Sequence, residues 1–444
     1  MRHRSGVKPG IPSQFAPLKI LISAIACNPF GGSEALHGWL ACRSLAGLAE
    51  LWLLVSVENK AGIEEGRARG LVPENMHFTY LGEPKPYLEN RLLARLQSWG
   101  RYIAFSRAIL PVARDLHASV RFDLSHHVTY STWRVGSTLW RLEIPFIWGP
   151  ISGTEVFPLR KFGRILSPSA KAFECARILG GVYSRFTPEV RLCARNAFHI
   201  FAAHREAVPH LSKLRGGTSG ISVLSYYSFS PETIATFARP TFAVRSEGPL
   251  KILAGGNLEG RKGVAIALEG LALAKKAGAK FTYRVTGRGS ELDHLERLAK
   301  RLGIEREVSI GQGFPREDYM RELQSTDLYL LPSLREGGGL TMMEAMLAGC
   351  VPIVADCGGP GTAVSDECGV RIAVESPQQM ARDIAAAVVR FDADRALLAQ
   401  MGAAAARGIA EEYAQHRFND AVSAVYQSAL SEGRGSAADA RVRD

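Results

Sequence analysis

Two glutamates separated by a glycine-rich turn are the residues in this sequence best placed to do chemistry. The segment comprises the two carboxylates and the residues between them that carry the turn and the start of a predicted helix: Glu336, Gly337, Gly338, Gly339, Leu340, Thr341 and Glu344. Glycines that open a helix leave backbone N–H groups free, and the positive helix end can receive a diphosphate. A carboxylate accepts paired hydrogen bonds from vicinal hydroxyls, so one glutamate could hold a sugar and the other a ribose. The alternative is a glycine-rich turn with two solvated glutamates.

Four more loops rich in glycine or charge follow predicted strands of the second half, at residues 255–263, 287–291, 311–315 and 356–361. Ligands of a doubly wound sheet bind outside the carboxyl ends of its strands. Each loop alone is weak support, and the G-R-G at 287–289 is only half of a dinucleotide fingerprint. Five such loops at one edge exceed what turn geometry requires, which favours a ligand site over a solvated turn.

Short apolar runs alternate with helical patterns along the chain, which favours α/β domains with largely parallel sheets. The predicted strands of the first half are 20–26, 51–57, 77–81, 123–128, 145–149 and 199–203. Those of the second half are 250–256, 281–287, 308–312, 327–333, 351–356 and 370–374, with helices between them at 263–277, 290–302, 315–325 and 340–348. Helices near 377–391 and 395–428 follow. At 444 residues, two doubly wound domains of roughly 200 residues each are expected.

The domain boundaries follow from breaks in this pattern. We expect a disordered basic tail at 1–17, a first domain at 18–228 and a second at 250–412. Three prolines interrupt the periodicity at 229–249, which predicts a linker. A C-terminal helix near 413–430 is expected to pack back on the first domain, and the tail 432–444 to be disordered.

The composition is that of an ordinary globular protein, with 46% apolar and 22% charged residues. No apolar run approaches the ~20 residues that span a bilayer. The seven cysteines are scattered and form no C-x-x-C pair, which predicts reduced thiols in a cytoplasmic protein. Residues 18–27 follow a basic start and are similar to a short signal segment, but Lys19 interrupts them and a buried first strand is preferred.

The net charge of +11 is concentrated in the first half. Residues 85–121 contain seven basic and two acidic residues, and residues 155–195 contain eight and three, so each stretch carries +5. An apolar stripe on a predicted helix from Leu88 to Leu110 could pack on the core or dock on a membrane. The charge implies an anionic partner such as a lipid surface, a lipid diphosphate or nucleic acid.

The order and spacing of these segments, over roughly residues 18–430, resemble glycosyltransferase family 4, whose signature is E-x7-E. The second-half segments that carry the resemblance are LPSLREGGGLTMMEAMLAG, NLEGRKG, GRGSELDHLERLAKRLGI and VPIVADCGGP. SAIACNPFGGSEALHGW is similar to the family's N-terminal glycine loop, and SHHVTYSTWR with IPFIWGPISGTE is similar to one bacterial subgroup. The resemblance implies the GT-B fold, in which two Rossmann-like domains face each other across a cleft. It also implies a retaining transfer of a hexose from a UDP- or GDP-linked sugar, without metal or other cofactor.

The resemblance also implies roles for single residues. Glu336 would hold hydroxyls of the donor sugar, Glu344 would bind the ribose, and Lys262 would neutralise the diphosphate. The other implied donor-binding positions are Gly255, Gly256, Asn257, Gly287, Gly313, Phe314, Gly337, Gly338, Gly339, Leu340 and Thr341, with Gly313 and Phe314 near the base. Gly31 and Gly32 would close over the phosphate from the first domain. Asn257 occupies the place of an arginine usual in the family, and Arg261 could supply that charge.

Five first-domain residues keep two interpretations each. His126 or His127 would contact the transferred sugar near the reacting carbon, unless the pair is hydrogen-bonded structure. Arg134 would bind an acceptor phosphate or form a surface ion pair. Glu34 would cap the helix after Gly32 or approach the acceptor, and Glu155 has a similar but weaker claim.

The expected acceptor is a glycan or a lipid-linked oligosaccharide of surface-polysaccharide assembly, met in the cytoplasm or on the inner face of the plasma membrane. One alternative is a nucleotide-sugar epimerase on the same fold. Another is a non-catalytic binder of membranes or nucleic acid, suggested only by the basic first half. No motif for nucleic-acid recognition is present, so a nucleic-acid partner is not expected.

Overall fold

The computed structural model describes residues 17–82, 91–238, 248–311, 313 and 316–441. The first seven strands are Lys19–Ala24 (β1), Glu50–Ser56 (β2), Met76–Leu81 (β3), Leu124–Thr129 (β4), Phe146–Ile151 (β5), His199–Ala202 (β6) and Ile221–Val223 (β7). The remaining six are Leu250–Gly255 (β8), Phe281–Thr286 (β9), Val308–Gly311 (β10), Leu328–Leu331 (β11), Val351–Ala355 (β12) and Val370–Ile372 (β13).

The helices lie between and after these strands. In the first half they are Ser33–Leu45 (α1), Lys60–Ala68 (α2), Arg91–Val120 (α3), Leu159–Phe162 (α4), Pro168–Phe186 (α5), Pro188–Asn196 (α6), Ala207–Arg215 (α7) and Pro231–Phe237 (α8). In the second half they are Val264–Lys276 (α9), Leu292–Arg301 (α10), Arg316–Ser325 (α11), Leu340–Leu347 (α12), Gly358–Ala363 (α13), Pro377–Ala393 (α14), Arg395–Glu412 (α15) and Gln415–Arg441 (α16).

Within the described ranges, the strands form two parallel sheets. The first has the order β3-β2-β1-β4-β5-β6-β7 and the second β10-β9-β8-β11-β12-β13. Both orders reverse direction beside their first strand, and this reversal opens a crevice at the carboxyl ends of the strands. The predicted fold class, two doubly wound α/β domains, is confirmed.

Local sequence explains several helix starts. The dipeptides Ser167-Pro168, Ser230-Pro231 and Ser376-Pro377 begin α5, α8 and α14, and each serine side chain accepts a backbone N–H of the first turn. Proline fits the first helical position because its missing N–H would be unpaired there. Central strands such as β4 and β12 are buried along their whole length, as expected for parallel strands covered on both faces.

Each domain borrows a segment from the other half of the chain. Phe157, Phe162 and Leu166, which follow β5, belong to the apolar core of the second domain. In return, Phe418, Val422 and Tyr426 of α16 complete the core around β1 and β2 of the first domain. The segment that leaves the first domain at Phe229 lies beside the segment that returns to it at Tyr413 and Gln415. Phe229 N donates to Tyr413 O, and Gln415 N donates to Phe229 O.

The structure adds details that the sequence patterns do not contain. Strand β7 follows the six predicted strands of the first half, and α13 occupies the predicted loop at 356–361. The predicted helix at 395–428 is divided into α15 and α16, and α16 includes residues 432–441, for which a disordered tail is expected. Helix α8 lies inside the predicted linker, and its Phe237 is buried.

Candidate functional site

Glu336 lies in the loop between β11 and α12, at the carboxyl edge of the second sheet. Its carboxylate accepts a hydrogen bond from the Lys262 ammonium and lies 3.4 Å from Ser333 Oγ. Helix α12 begins directly after Gly339, which has a φ of +86° that favours glycine. The loop therefore places a carboxylate beside the positive end of a helix.

Lys262 comes from the loop between β8 and α9, and β8 pairs with β11 in the sheet. Their carboxyl ends are adjacent, which brings Lys262 and Glu336 together although 74 residues separate them. Arg261 Nε donates to Glu259 at 2.8 Å, its Nη1 donates to Arg335 O at 2.9 Å, and the same Nη1 is 3.9 Å from Glu336 Oε2. Arg261 thus adds positive charge near Glu336 but is held by two other partners.

The charges around Glu336 decide its ionisation. Burial alone would raise the pKa of the Glu336 carboxyl, but the positive charges of Lys262 and then Arg261 outweigh it and hold the pKa below its ordinary value. The carboxylate is therefore ionised at neutral pH and can only accept hydrogen bonds. Sugar hydroxyls are suitable donors for such a group.

The glycine loops of the second domain approach one another closely. A Cβ on Gly287 would lie 1.9 Å from Gly256 O, so this position excludes every larger residue. A Cβ on Gly255 would lie 3.1 Å from Tyr329 Oη, and one on Gly256 would lie 3.7 Å from Lys262 Nζ. Gly255 and Gly256, with Asn257 next to them, line a small recess that also contains Lys262.

Glu344 lies on the first turns of α12, one helical turn beyond Thr341, and is buried. The hydroxyl of Tyr329 donates to Thr341 Oγ1 at 2.8 Å, which fixes the start of the helix against β11. Leu340 is half-buried. Gly313 follows β10 at the same sheet edge and is exposed, whereas Phe314 lies outside the described residues.

Two tyrosines of the first half, Tyr226 and Tyr227, pack directly on the glycines of the Glu336 loop. A Cβ on Gly338 would lie 2.6 Å from the ring of Tyr227. Burial first, and then the charges of Glu34, Glu336 and Glu344, raise the pKa of the Tyr227 hydroxyl, so three carboxylates from both domains surround this ring. Sequence reasoning missed both tyrosines; an aromatic pair directly before the predicted linker was the only signal.

Glu34 lies in the first turn of α1 and does not cap this helix. The N-cap residue is Gly32, and no side chain forms a capping hydrogen bond there. Instead, its carboxylate accepts the Ser131 backbone N–H at 2.9 Å and the Ser131 hydroxyl at 3.1 Å. Glu34 also lines a cavity of about 550 Å³ in the first domain, together with Gly31 and Gly32. The glycine loop thus opens onto a cavity, and the charge of the neighbouring Glu34 contributes to the raised pKa of both buried tyrosines.

The two histidines lie inside the first domain. His126 Nδ1 lies 2.7 Å from Tyr426 Oη and its Nε2 lies 2.7 Å from Gly149 O. His127 is equally buried, with Ser23 Oγ at 3.2 Å and Tyr102 Oη at 3.1 Å. Burial lowers the pKa of His126 to about 3 and that of His127 to about 4, so both are neutral at pH 7. The structure places both in the hydrogen-bonded interior and neither in contact with Glu336 or Lys262.

Arg134 is half-buried, and among the described residues it does not form the predicted surface ion pair. Its Nη1 donates to Gly153 O at 2.5 Å and its guanidinium lies over the Trp133 ring. Glu155 is buried and lies 2.5 Å from His204 Nε2; burial would raise its pKa, but the bond to His204 lowers it. These groups hold the 152–155 turn in place. The turn lies beside the Glu336 loop, because a Cβ built on Gly337 would lie 3.2 Å from Ser152 Oγ.

A salt bridge from the first domain reaches the residue before Glu336. Arg335 Nη2 donates to Glu174 of α5 at 2.8 Å, and both side chains are largely buried. Burial, and then the charge of Arg261, lower the pKa of Arg335, while Glu174 opposes the shift. Breaking a buried pair by removing one partner leaves an uncompensated charge. The Glu336 loop is therefore fixed from both sides of the cleft.

Comparison with known proteins agrees with this geometry. Residues 241–406 match the family model of glycosyl transferases group 1. The amylovoran biosynthesis glycosyltransferase AmsK of Erwinia amylovora is 28% identical over 181 residues, which covers 38% of this chain and 42% of AmsK. The putative colanic acid biosynthesis glycosyltransferase WcaL of Escherichia coli K12 is 26% identical over 251 residues, which covers 54% of this chain and 59% of WcaL.

Anabaena HepE, solved in complex with UDP and glucose, superposes with a TM-score of 0.57 at 17% identity, over 93% of this chain and 100% of HepE. At this identity the match establishes the GT-B fold. The chain spans about half the length of the two curated relatives, and the matched family segment contains β8–β13 with the candidate donor loops. Within the described residues, no helix is both long and apolar enough to cross a membrane.

Proposed function

We propose that this protein is a retaining glycosyltransferase that transfers a hexose from a nucleoside-diphosphate sugar to an acceptor hydroxyl. One observation carries the proposal: an ionised Glu336, paired with Lys262, at the glycine-opened start of α12. The match of residues 241–406 to group 1 glycosyl transferases supports it, as do the two relatives named for polysaccharide biosynthesis.

The donor would lie along the carboxyl edge of the second sheet. Glu336 would accept hydrogen bonds from the sugar hydroxyls, and Glu344 would accept those of the ribose. The diphosphate between them would meet the backbone N–H groups at the start of α12. Gly313 would lie near the base. The complex of HepE with UDP and glucose supports a UDP-linked donor on this fold, and a GDP-linked donor is the other candidate.

Departure of the diphosphate requires positive charge at the leaving oxygen. Lys262 supplies it directly, because its ammonium can turn from Glu336 toward a phosphate without leaving the recess beside Gly256. Arg261 replaces in part the arginine missing at Asn257, since its guanidinium reaches within 3.9 Å of Glu336. This charge set fits a reaction that needs no metal ion and no other cofactor.

The acceptor would enter from the first domain, in the cavity lined by Gly31, Gly32 and Glu34. Glu34, which lines this cavity, also acts electrostatically on Tyr226 and Tyr227, whose rings lie against Gly337 and Gly338 of the Glu336 loop. A retaining reaction would take place on one face of the sugar, with the leaving phosphate accepting the acceptor proton. The relatives support a glycan or lipid-linked acceptor of surface-polysaccharide assembly.

Donor turnover tests the proposal. The full-length protein is incubated with a panel of UDP- and GDP-sugars, and the release of nucleoside diphosphate is followed with and without an oligosaccharide acceptor. We expect release with at least one donor, and its loss in Glu336→Ala. A protein that releases no nucleoside diphosphate from any donor, and binds none in calorimetry, is not this enzyme.

A further inference from the structure

Helix α5 presents an apolar face to solvent on the surface of the first domain. Leu179, Val182, Tyr183 and Phe186 are exposed by 69%, 53%, 69% and 69%. They follow the spacing i, i+3, i+4 and i+7, so they form one face of the helix. The opposite face holds the buried residues Glu174, Gly181 and Ser184. Large apolar side chains clustered at this exposure mark an interaction surface.

The exposed charges of the chain segment that contains α5, residues 155–195, have one sign. The exposed basic residues of the segment 155–195 are Arg160, Lys161, Arg164, Lys171, Arg185, Arg191 and Arg195. Its acidic residues are Glu155, Glu174 and Glu189, and their partners are His204, Arg335 and Arg141. The +5 of this segment therefore appears at the surface as exposed positive charge, while the negative charges are engaged in ion pairs.

We propose that the exposed face of α5 (Leu179, Val182, Tyr183 and Phe186) docks this protein on an anionic phospholipid bilayer. An interfacial helix inserts leucine and aromatic side chains at the headgroup boundary, while lysines and arginines around it meet anionic headgroups. Tyrosine suits that boundary because its ring is apolar and its hydroxyl can stay hydrated.

Two other occupants fit the surface less well. A second copy of the chain would bring the same positive charge against itself across a two-fold axis. A nucleic acid would satisfy the basic residues but would leave Leu179 and Val182 against a hydrated polyanion. An anionic bilayer offers negative charge and an apolar interior at the same place.

Docking through α5 would also orient the cleft. Glu174 on the inner face of α5 is bonded to Arg335, the residue before Glu336. The helix that meets the lipid is thus one salt bridge away from the donor loop. This consequence rests on the proposed function, whereas the docking itself does not.

Vesicle flotation of the full-length protein tests the docking without any enzymatic readout. We expect the protein to float with phosphatidylglycerol-containing vesicles and to remain behind with pure phosphatidylcholine. Cys175 is the exposed cysteine of the chain and lies one turn before Leu179, so an environment-sensitive fluorophore attached there should shift to the blue on binding.

Matched variants distinguish binding through this face from non-specific adsorption to the vesicles. Leu179→Ser with Phe186→Ser should lower the partition coefficient by about tenfold or more for each side chain. Leu273→Ser, the same change at an exposed leucine of α9 in the other domain, should leave it unchanged. Arg185→Ser and Arg191→Ser should each lower it about fivefold.

Three outcomes would overturn the proposal. The first is a wild-type protein that does not float with phosphatidylglycerol vesicles. The second is a double variant, Leu179→Ser with Phe186→Ser, that floats as well as the wild type. The third is a wild-type dimer that this variant converts to a monomer, which would make the face an interface between copies. Because the substituted side chains are exposed, unchanged thermal unfolding is expected and serves as the folding control.

Discussion

Replacing Glu336 by glutamine tests the central assignment with the smallest change in shape. In the structure this carboxylate is ionised and held by Lys262, with Arg261 at 3.9 Å. We assign it two hydrogen bonds from vicinal sugar hydroxyls. A hydrogen bond to a charged group contributes about 1.5–3 kcal/mol, so two contribute roughly 3–6 kcal/mol.

Glutamine keeps one neutral acceptor oxygen and loses the charge. The expected net loss of transition-state binding is then roughly 2–4 kcal/mol, which corresponds to a decrease of about 30- to 1000-fold in kcat/KM. The assay is release of nucleoside diphosphate from the preferred donor, at several donor concentrations. The Lys262 and Glu336 side chains are only 15% and 17% exposed, so the substitution should also lower stability, and thermal unfolding of the variant separates that effect from the loss of activity.

Glu259→Gln is the matched control. Glu259 accepts from Arg261 at 2.8 Å in the neighbouring loop, and its side chain is 21% exposed, close to the 17% of Glu336. The same chemical change there removes a similar partly exposed ion pair but no proposed contact with the sugar. If Glu336→Gln retains kcat/KM within about threefold of the wild type, or loses no more than Glu259→Gln, the sugar-binding role of Glu336 is refuted.

Three further predictions test the site and its support. Lys262→Met removes the largest charge that keeps the pKa of Glu336 low, so the acid limb of the kcat/KM profile should move to higher pH; an unmoved limb would contradict the pairing. Gly287→Ala places a Cβ 1.9 Å from the backbone oxygen of Gly256 and should lower donor affinity, measured by calorimetry, tenfold or more, which is about 1.4 kcal/mol. Gly311→Ala on the adjacent strand is the control and should leave donor affinity unchanged, because nothing lies within 4 Å of its Cβ. His126 has a pKa of about 3 in the folded protein, so acidification below its unfolded pKa of 6.5 favours unfolding by about 1.4 kcal/mol per pH unit. His126→Gln should therefore lose less Tm than the wild type between about pH 6.5 and 4. An equal loss of Tm in the two proteins would show that other groups cause it.

The architecture could be predicted from the sequence because its signals are local. Buried parallel strands give continuous apolar runs, and glycine loops between strand and helix indicate the ligand edge of the sheet. The short edge strand Ile221–Val223 gave no such signal, since two of its three residues are exposed. Helix α13 was not predicted because its sequence contains three glycines and a proline. It is set by tertiary packing, in which a Cβ on Gly358 would lie 2.0 Å from Glu336 O.

The histidine pair shows where sequence reasoning about a site stops. His126 and His127 follow each other on β4, so their side chains point to opposite faces of the sheet. Tyr426 of α16 covers one face and Tyr102 of α3 covers the other. The sequence places the pair near a strand end, but it does not say that a helix from 300 residues away closes over one of them. Burial on both faces, not the residue type, places both imidazoles in the hydrogen-bonded interior.

The donor loop is also less local than its motif implies. The carboxylate of Glu206, from the first domain, accepts the backbone N–H of Gly358 at 2.9 Å, and Arg205 donates to Gly361 O at 2.8 Å. Gly359 N in turn donates to Glu336 O at 3.1 Å, so α13 connects Arg205 and Glu206 of the first domain to the backbone of Glu336. Any motion that opens the cleft on this side must break the contacts of Arg205 and Glu206. Because Glu336 is connected to them through one short helix, we expect donor binding at Glu336 to be coupled to domain closure.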